Sequence, residues 1–158
     1  MDEIFFFLQY GWKIVAIDQS LDAIKSYYNT LSLEKQKYLT IQDMRFESLE
    51  LFPVEFIHAA YSLYFCTPDK FSFMWETICS NIKKGGLFSG NFIGNKDDWR
   101  KRSLTPKKFV TYEELYEMFI GFDLKYFCEQ EFDGPFLDKE CKIREKHWHT
   151  FDIIARKH

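Results

Sequence analysis

The run Lys13-Ile14-Val15-Ala16-Ile17, closed by Asp18, constrains the fold of this chain more than any other segment. Apolar, β-branched residues in unbroken succession bury both faces of a strand, and such strands belong to parallel sheets covered by helices. The flanking pattern agrees. Asp2 to Tyr10 reads as a helix stopped by Gly11. Ser20 can cap the next helix, whose apolar positions Leu21, Ile24, Tyr28 and Leu31 fall at helical spacing. Tyr38 to Gln42 reads as a short strand ending at Asp43, and Val54 to Tyr61 as a further buried strand. Thr67-Pro68 supplies an N-cap and a first-turn proline for a helix with Phe71, Trp75, Ile78 and Ile82 on one face. Gly85-Gly86 should end that helix and Leu87 to Ile93 form the next strand. Thr111 and Glu114 make a capping box for a helix through Leu115, Met118 and Phe119, closed by Gly121. Leu124 to Phe132 and Trp148 to Ala155 read as a final strand pair. The polar stretch Asp133 to Lys146, broken at Gly134-Pro135, reads as a loop between them. The alternation predicts an α/β fold, a mostly parallel sheet with an antiparallel C-terminal edge strand.

At 158 residues the chain is expected to be one domain, 1–158, around one core. Aromatic residues reach 20%, with eighteen Phe and nine Tyr, which implies a bulky core, an aromatic pocket or both. The net charge of −3 argues against non-specific nucleic-acid binding, which needs a surplus of Lys and Arg. The basic run from Lys96 to Lys108 is interrupted by Asp97 and Asp98 and reads as a solvated loop. Ile4 to Leu8 falls far short of the roughly 20 apolar residues of a membrane span. Cys66, Cys79, Cys128 and Cys141 form no CxxC pair, so reduced thiols in a cytoplasmic protein are expected.

Ligands of open α/β sheets sit at the carboxyl ends of strands. Asp18 stands at one such end, where a carboxylate accepts hydrogen bonds from ribose hydroxyls. Asp43 stands at another, followed by Met44, a pair suited to an adenine amino group and ring face. Tyr61-Ser62 closes a third. A lone Asp after a strand is more often a turn former than a ligand contact; the weight lies in three strand ends together.

The collinear series Gly11-Trp12-Lys13-Ile14-Val15-Ala16-Ile17-Asp18, Gln42-Asp43-Met44, Tyr61-Ser62-Leu63 and Lys84-Gly85-Gly86-Leu87-Phe88 resembles class I S-adenosylmethionine-dependent methyltransferases. Phe65-Cys66-Thr67-Pro68, Gly90-Asn91-Phe92-Ile93-Gly94 with Asp98-Trp99, and Lys146-His147-Trp148-His149 resemble the small-molecule branch that includes tellurite-resistance-type enzymes. The resemblance covers nearly the whole chain. It implies a Rossmann-like fold, S-adenosyl-L-methionine as cofactor and a small-molecule acceptor. By it, Asp18 holds the cofactor ribose, Gln19 lies beside the adenine, and Asp43 and Met44 complete that pocket. Tyr61 and Ser62 then lie near the methionine portion, and Asn91, Trp99 and His147 on the substrate side. The first strand and glycine-rich turn of the family are missing from the series, and Met1 stands where the last glycine of that turn would be. That strand is central in the family, so its two neighbours are expected to lack a partner. The sheet closing over the gap, a second copy of the chain in a homodimer, or an upstream start would each answer this.

Two other readings stand beside methyl transfer. One is a non-catalytic methyltransferase-like remnant, as a monomer or dimer, that binds cofactor weakly or not at all. The other is a nicotinamide-dinucleotide protein, against which the absence of any G-x-G-x-x-G counts. His147 and His149 face one side of a strand, but no further ligands stand at a recognisable metal spacing, so no metal is expected. Cys66 reads as a small buried hydrophobe rather than a nucleophile.

Overall fold

The computed structural model describes residues 2–138 and 140–158. Met1, and Lys139 within the expected loop, lie outside the described residues. The chain divides into two compact units, Met1–Ser48 and Leu49–His158.

In the first unit, α1 (Asp2–Gln9) ends at Gly11, whose positive φ of 76° lets Trp12 turn back to donate to the Phe7 carbonyl at 3.1 Å. β1 (Ile14–Asp18) pairs in parallel with β2 (Leu39–Asp43), with Asp18 opposite Asp43. α2 (Asp22–Thr30) and α3 (Leu33–Gln36) connect them. Ser20 is not the cap of α2. Its backbone N–H donates to Asp18 Oδ1 at 2.8 Å, closing a turn one step early, and Leu21 occupies the N-cap with no side-chain bond. Ser32 does cap α3, and Gln36 closes the end of α2 by donating to the carbonyls of Tyr28 and Leu31.

In the second unit, β3 (Val54–Ala59), β4 (Ile82–Ile93), β6 (Ile143–Lys157) and β5 (Phe122–Leu137) form one sheet in the order β3-β4-β6-β5. β3 and β4 are parallel, whereas β6 is antiparallel to both β4 and β5. The expected mixed α/β architecture is therefore present, with the antiparallel edge built from two strands. α4 (Phe71–Asn81) buries Phe71, Met74, Trp75 and Ile78. The Trp75 ring meets Phe88 and Phe92 of β4 edge-on, and also Phe119, which follows α6 (Tyr112–Met118). Edge-to-face pairs of this kind add roughly 0.5–1.5 kcal/mol each beyond area burial. The indole N–H donates to the Met118 carbonyl at 3.1 Å, tying α4 to α6. α5 (Trp99–Arg102) is a single turn.

Three local expectations are corrected here. Thr67-Pro68 does not start α4: residues 67–70 form a separate turn, and Lys70 is the N-cap. Gly85-Gly86 does not end α4, which stops at Asn81 where Lys157 Nζ donates to the carbonyls of Cys79 and Ile82. A cation there satisfies groups a glycine cap would otherwise serve. The two glycines lie inside β4, where the register with β3 shifts, and a Cβ on Gly86 would sit 2.8 Å from the Glu55 carbonyl oxygen. The supposed loop from Asp133 to Lys146 is mostly strand, with β5 and β6 paired out to Leu137↔Ile143. Pro135 is tolerated because β5 is an edge strand. No helix among the described residues is long and apolar enough to cross a membrane.

Candidate functional site

Residues expected to serve a cofactor fall at strand ends in each unit. In the first, Asp18 and Asp43 close adjacent parallel strands on one register rung, and the Met44 N–H donates to the Asp18 carbonyl at 3.3 Å. Both carboxylates and Gln19 are exposed, and Met44 is half-buried. Asp18 uses Oδ1 to hold its own turn through Ser20, which orients the carboxylate rather than consuming it. Two neighbouring acids can accept from a diol and from an amino group.

In the second unit, Tyr61 follows β3 with φ of 48°, a left-handed conformation uncommon for a bulky residue. Such backbone persists where its surroundings hold it, and it concentrates at functional sites. Here Asn91 holds it: the Tyr61 N–H donates to Asn91 Oδ1 at 3.2 Å. Asn91 Nδ2 in turn donates to Asp152 Oδ1, and Gln130 Nε2 donates to Asp152 Oδ2 at 2.8 Å. Asn91 and Asp152 are cross-strand partners, so they share one face of the sheet. Partial burial, and secondarily the Asp152 charge, hold the Tyr61 hydroxyl above the ordinary phenol range. Ser62 lies half-buried at the start of the turn Leu63–Phe65.

The residues after β4 complete this end. Asp97 and Asp98 replace the missing continuation of a strand: their carboxylates accept the backbone N–H groups of His149 and His147, each at 3.1 Å. Asp97 also accepts from the Trp99 N–H and pairs with Lys146 Nζ, both side chains being fully buried. Burial lowers the Lys146 ammonium and the Asp97 partner opposes that effect. Its Nζ lies 3.8 Å from the Trp148 ring and 4.1 Å from Trp99. Trp99 contacts Tyr64 at 5.9 Å between centroids. The Tyr64 hydroxyl is pushed up to about 12 by burial, with Asp97 adding to it.

The structure therefore joins Tyr61 to Asn91, and Trp99 to the segment just after Ser62. His147 is placed apart from them. It alternates with Asp152 along β6, so it faces the other side of the sheet from Asn91, between Asp133 at 2.8 Å and Glu131 at 3.2 Å. Asp152, Gln130, Asp97 and Lys146 were missed in the sequence. Asp152 left a signal, a single acid inside the apolar run Phe151 to Ile154.

Glu129, Glu131 and His149 bring ligand atoms within 4.8 Å of one another. The Lys96 N–H donates to His149 Nδ1 at 3.2 Å, so Nε2 carries the proton and donates to Glu129 at 2.9 Å. Glu131 pairs with Lys96 at 2.6 Å. The group is a hydrogen-bonded ladder, with no imidazole lone pair left for a metal.

No known family model matches this sequence, and no curated protein sequence matches it. Solved structures do. TehB from Haemophilus influenzae superposes with a TM-score of 0.73 at 13% identity, over 94% of this chain and 51% of that one. A SAM-dependent methyltransferase from Methanosarcina mazei gives 0.64 at 18% identity, covering 97% and 85%. The glycopeptide N-methyltransferase MtfA, complexed with S-adenosyl-L-methionine, gives 0.61 at 13% identity, covering 96% and 75%. The fold is that of these methyltransferases, and the chain spans about half the length of TehB.

Proposed function

We propose that this chain transfers a methyl group from S-adenosyl-L-methionine to a small-molecule acceptor, as a member of the tellurite-resistance-type branch of class I methyltransferases. The observation that carries the reading is the strand-end pair Asp18 and Asp43, on one rung of parallel β1 and β2, in a fold shared with solved methyltransferases. Asp18 takes the ribose hydroxyls, Gln19 and Met44 flank the adenine, and Asp43 accepts from its amino group. Tyr61 and Ser62 serve the methionine portion, and Asn91 and Trp99 the acceptor. His147 belongs to this set only by resemblance. Methyl transfer asks mainly for in-line, desolvated approach of nucleophile to sulfonium, so a dedicated base is not required. We read residues 1–158 as working as one domain in the cytoplasm, a setting with which four free thiols agree. A homodimer is the partner arrangement we favour, because β1 has β2 on one side only within its sheet.

The second reading is a methyltransferase-like domain without catalysis. It is favoured by the thin core of the first unit, where α2 and α3 bury no residue. Calorimetric titration with S-adenosylhomocysteine separates the two. Micromolar binding that Asp18→Ala weakens at least tenfold is expected for the enzyme. No heat at millimolar ligand would leave the non-catalytic reading.

A further inference from the structure

After Ser62 the chain turns through Leu63–Phe65, setting the rings of Tyr64 and Phe65 against each other at 4.7 Å between centroids. Trp99 closes a third side against Tyr64. The ammonium of Lys107 reaches among them, 3.8 Å from the Phe65 centroid, 5.1 Å from Trp99 and 5.4 Å from Tyr64. We infer that Tyr64, Phe65 and Trp99 form an aromatic cup for an alkylammonium ligand, and that Lys107 occupies the cup as an internal stand-in.

Three ring faces within reach of one ammonium are the recognition pattern for organic cations, because each ring presents its negative face to the charge. The cup is built before any ligand arrives. Tyr64 is buried, and Trp99 is clamped by Trp148 at 5.4 Å and Phe136 at 5.9 Å. It is also open: Phe65, the ring nearest the cation, is 51% exposed. Lys107 sits in the stretch between α5 and α6 that has no helix or ladder of its own before Val110, so it can withdraw without breaking a strand or helix. A primary ammonium is strongly hydrated and gives up more on entering the cup than a methylated one does. Lys146, by contrast, is buried and paired with Asp97, its ammonium 4.1 Å from the Trp99 centroid. As an acceptor subsite the cup selects a substrate bearing an amine or quaternary ammonium group, and this part rests on the methyltransferase reading above.

The test is titration of the full chain with choline and with the uncharged alcohol in which carbon replaces the choline nitrogen, followed by the ring proton signals of Tyr64 and Phe65. Choline is expected to shift these signals and the carbon analogue to leave them in place. Lys107→Ala should tighten choline about fivefold by removing the internal competitor, and Phe65→Leu, which keeps apolar area but no ring face, should weaken it about fivefold. Equal shifts from the two alcohols, or no choline shift even in Lys107→Ala, overturn the cup. S-adenosylhomocysteine is titrated into the same samples. Cofactor binding without choline binding overturns the cup and leaves the methyltransferase reading; choline binding without cofactor binding supports the cup and removes its role as acceptor subsite.

Discussion

Gly94 shows how much one missing side chain decides here. It follows β4, bridges to Val110, and its backbone lies against the buried ring of His149: a Cβ would fall 1.9 Å from Nδ1. The ring cannot step aside, because it accepts from Lys96 and donates to Glu129. Gly94→Ala is therefore expected to destabilise the fold by about 1–3 kcal/mol through overpacking, read as a lower urea midpoint. Asp97 is the complementary case. Its carboxylate serves the His149 and Trp99 N–H groups and the buried Lys146 ammonium at once. Asp97→Ala leaves that ammonium unpaired, and a loss of about 3–5 kcal/mol is expected in the same measurement. Neither role was legible in the sequence, where Asp97 looked like loop solvation. The partners stand 49 and 52 positions away, and only the sheet brings them together.

Among the elements, α6 matches its local signal, whereas the equally local signals at Ser20 and Thr67-Pro68 do not set the starts of α2 and α4. The capping box of α6 forms as its spacing predicts, with Thr111 Oγ1 accepting from the Glu114 N–H and Glu114 accepting in return. Thr111→Ala should cost about 1 kcal/mol in thermal or denaturant unfolding. Elements whose ends are settled by distant partners do not match: α4 is closed by Lys157, and the β5–β6 hairpin runs through Gly134-Pro135 because cross-strand groups hold it. His147 is one of these groups. Its hydrogen bond to Asp133, with a second to Glu131, holds the imidazolium above its ordinary range. The folded hairpin thus binds this proton more tightly than the unfolded chain does. Its contribution is complete below the ordinary imidazole value of about 6.5 and is lost as pH rises through the raised folded value. Amide exchange protection at residues 131–137 and 143–149 should fall across that rise, and His147→Gln should flatten the dependence.

At the scale of the whole molecule, burial is unevenly shared. Among the described residues, Leu8 and Leu39 are the buried hydrophobic residues of the first unit, whereas the second holds the aromatic centre of Trp75, Phe88, Phe92 and Phe119. Local opening free energy follows buried apolar contact. Native-state hydrogen exchange is accordingly expected to be fastest in α2 and α3 and slowest in β4 and β6; uniform protection would contradict the division. S-adenosylhomocysteine, if held by Asp18 and Asp43, should slow exchange at the ends of β1 and β2.

Part of this architecture follows from nearest neighbours along the chain. Unbroken apolar runs became strands, helical spacing became α2, α4 and α6, and acids fell at the ends of β1 and β2. Those outcomes depend on side-chain periodicity and, for α6, on a cap within four residues. Tertiary structure alone decided that β6 lies inside the sheet with β5 outermost, that Asn91 and Asp152 hold the strained Tyr61, and that Lys107 enters a ring of aromatics. The reason is physical: hydrogen-bond satisfaction and burial are shared between residues tens of positions apart, and no local pattern records which distant group will meet them.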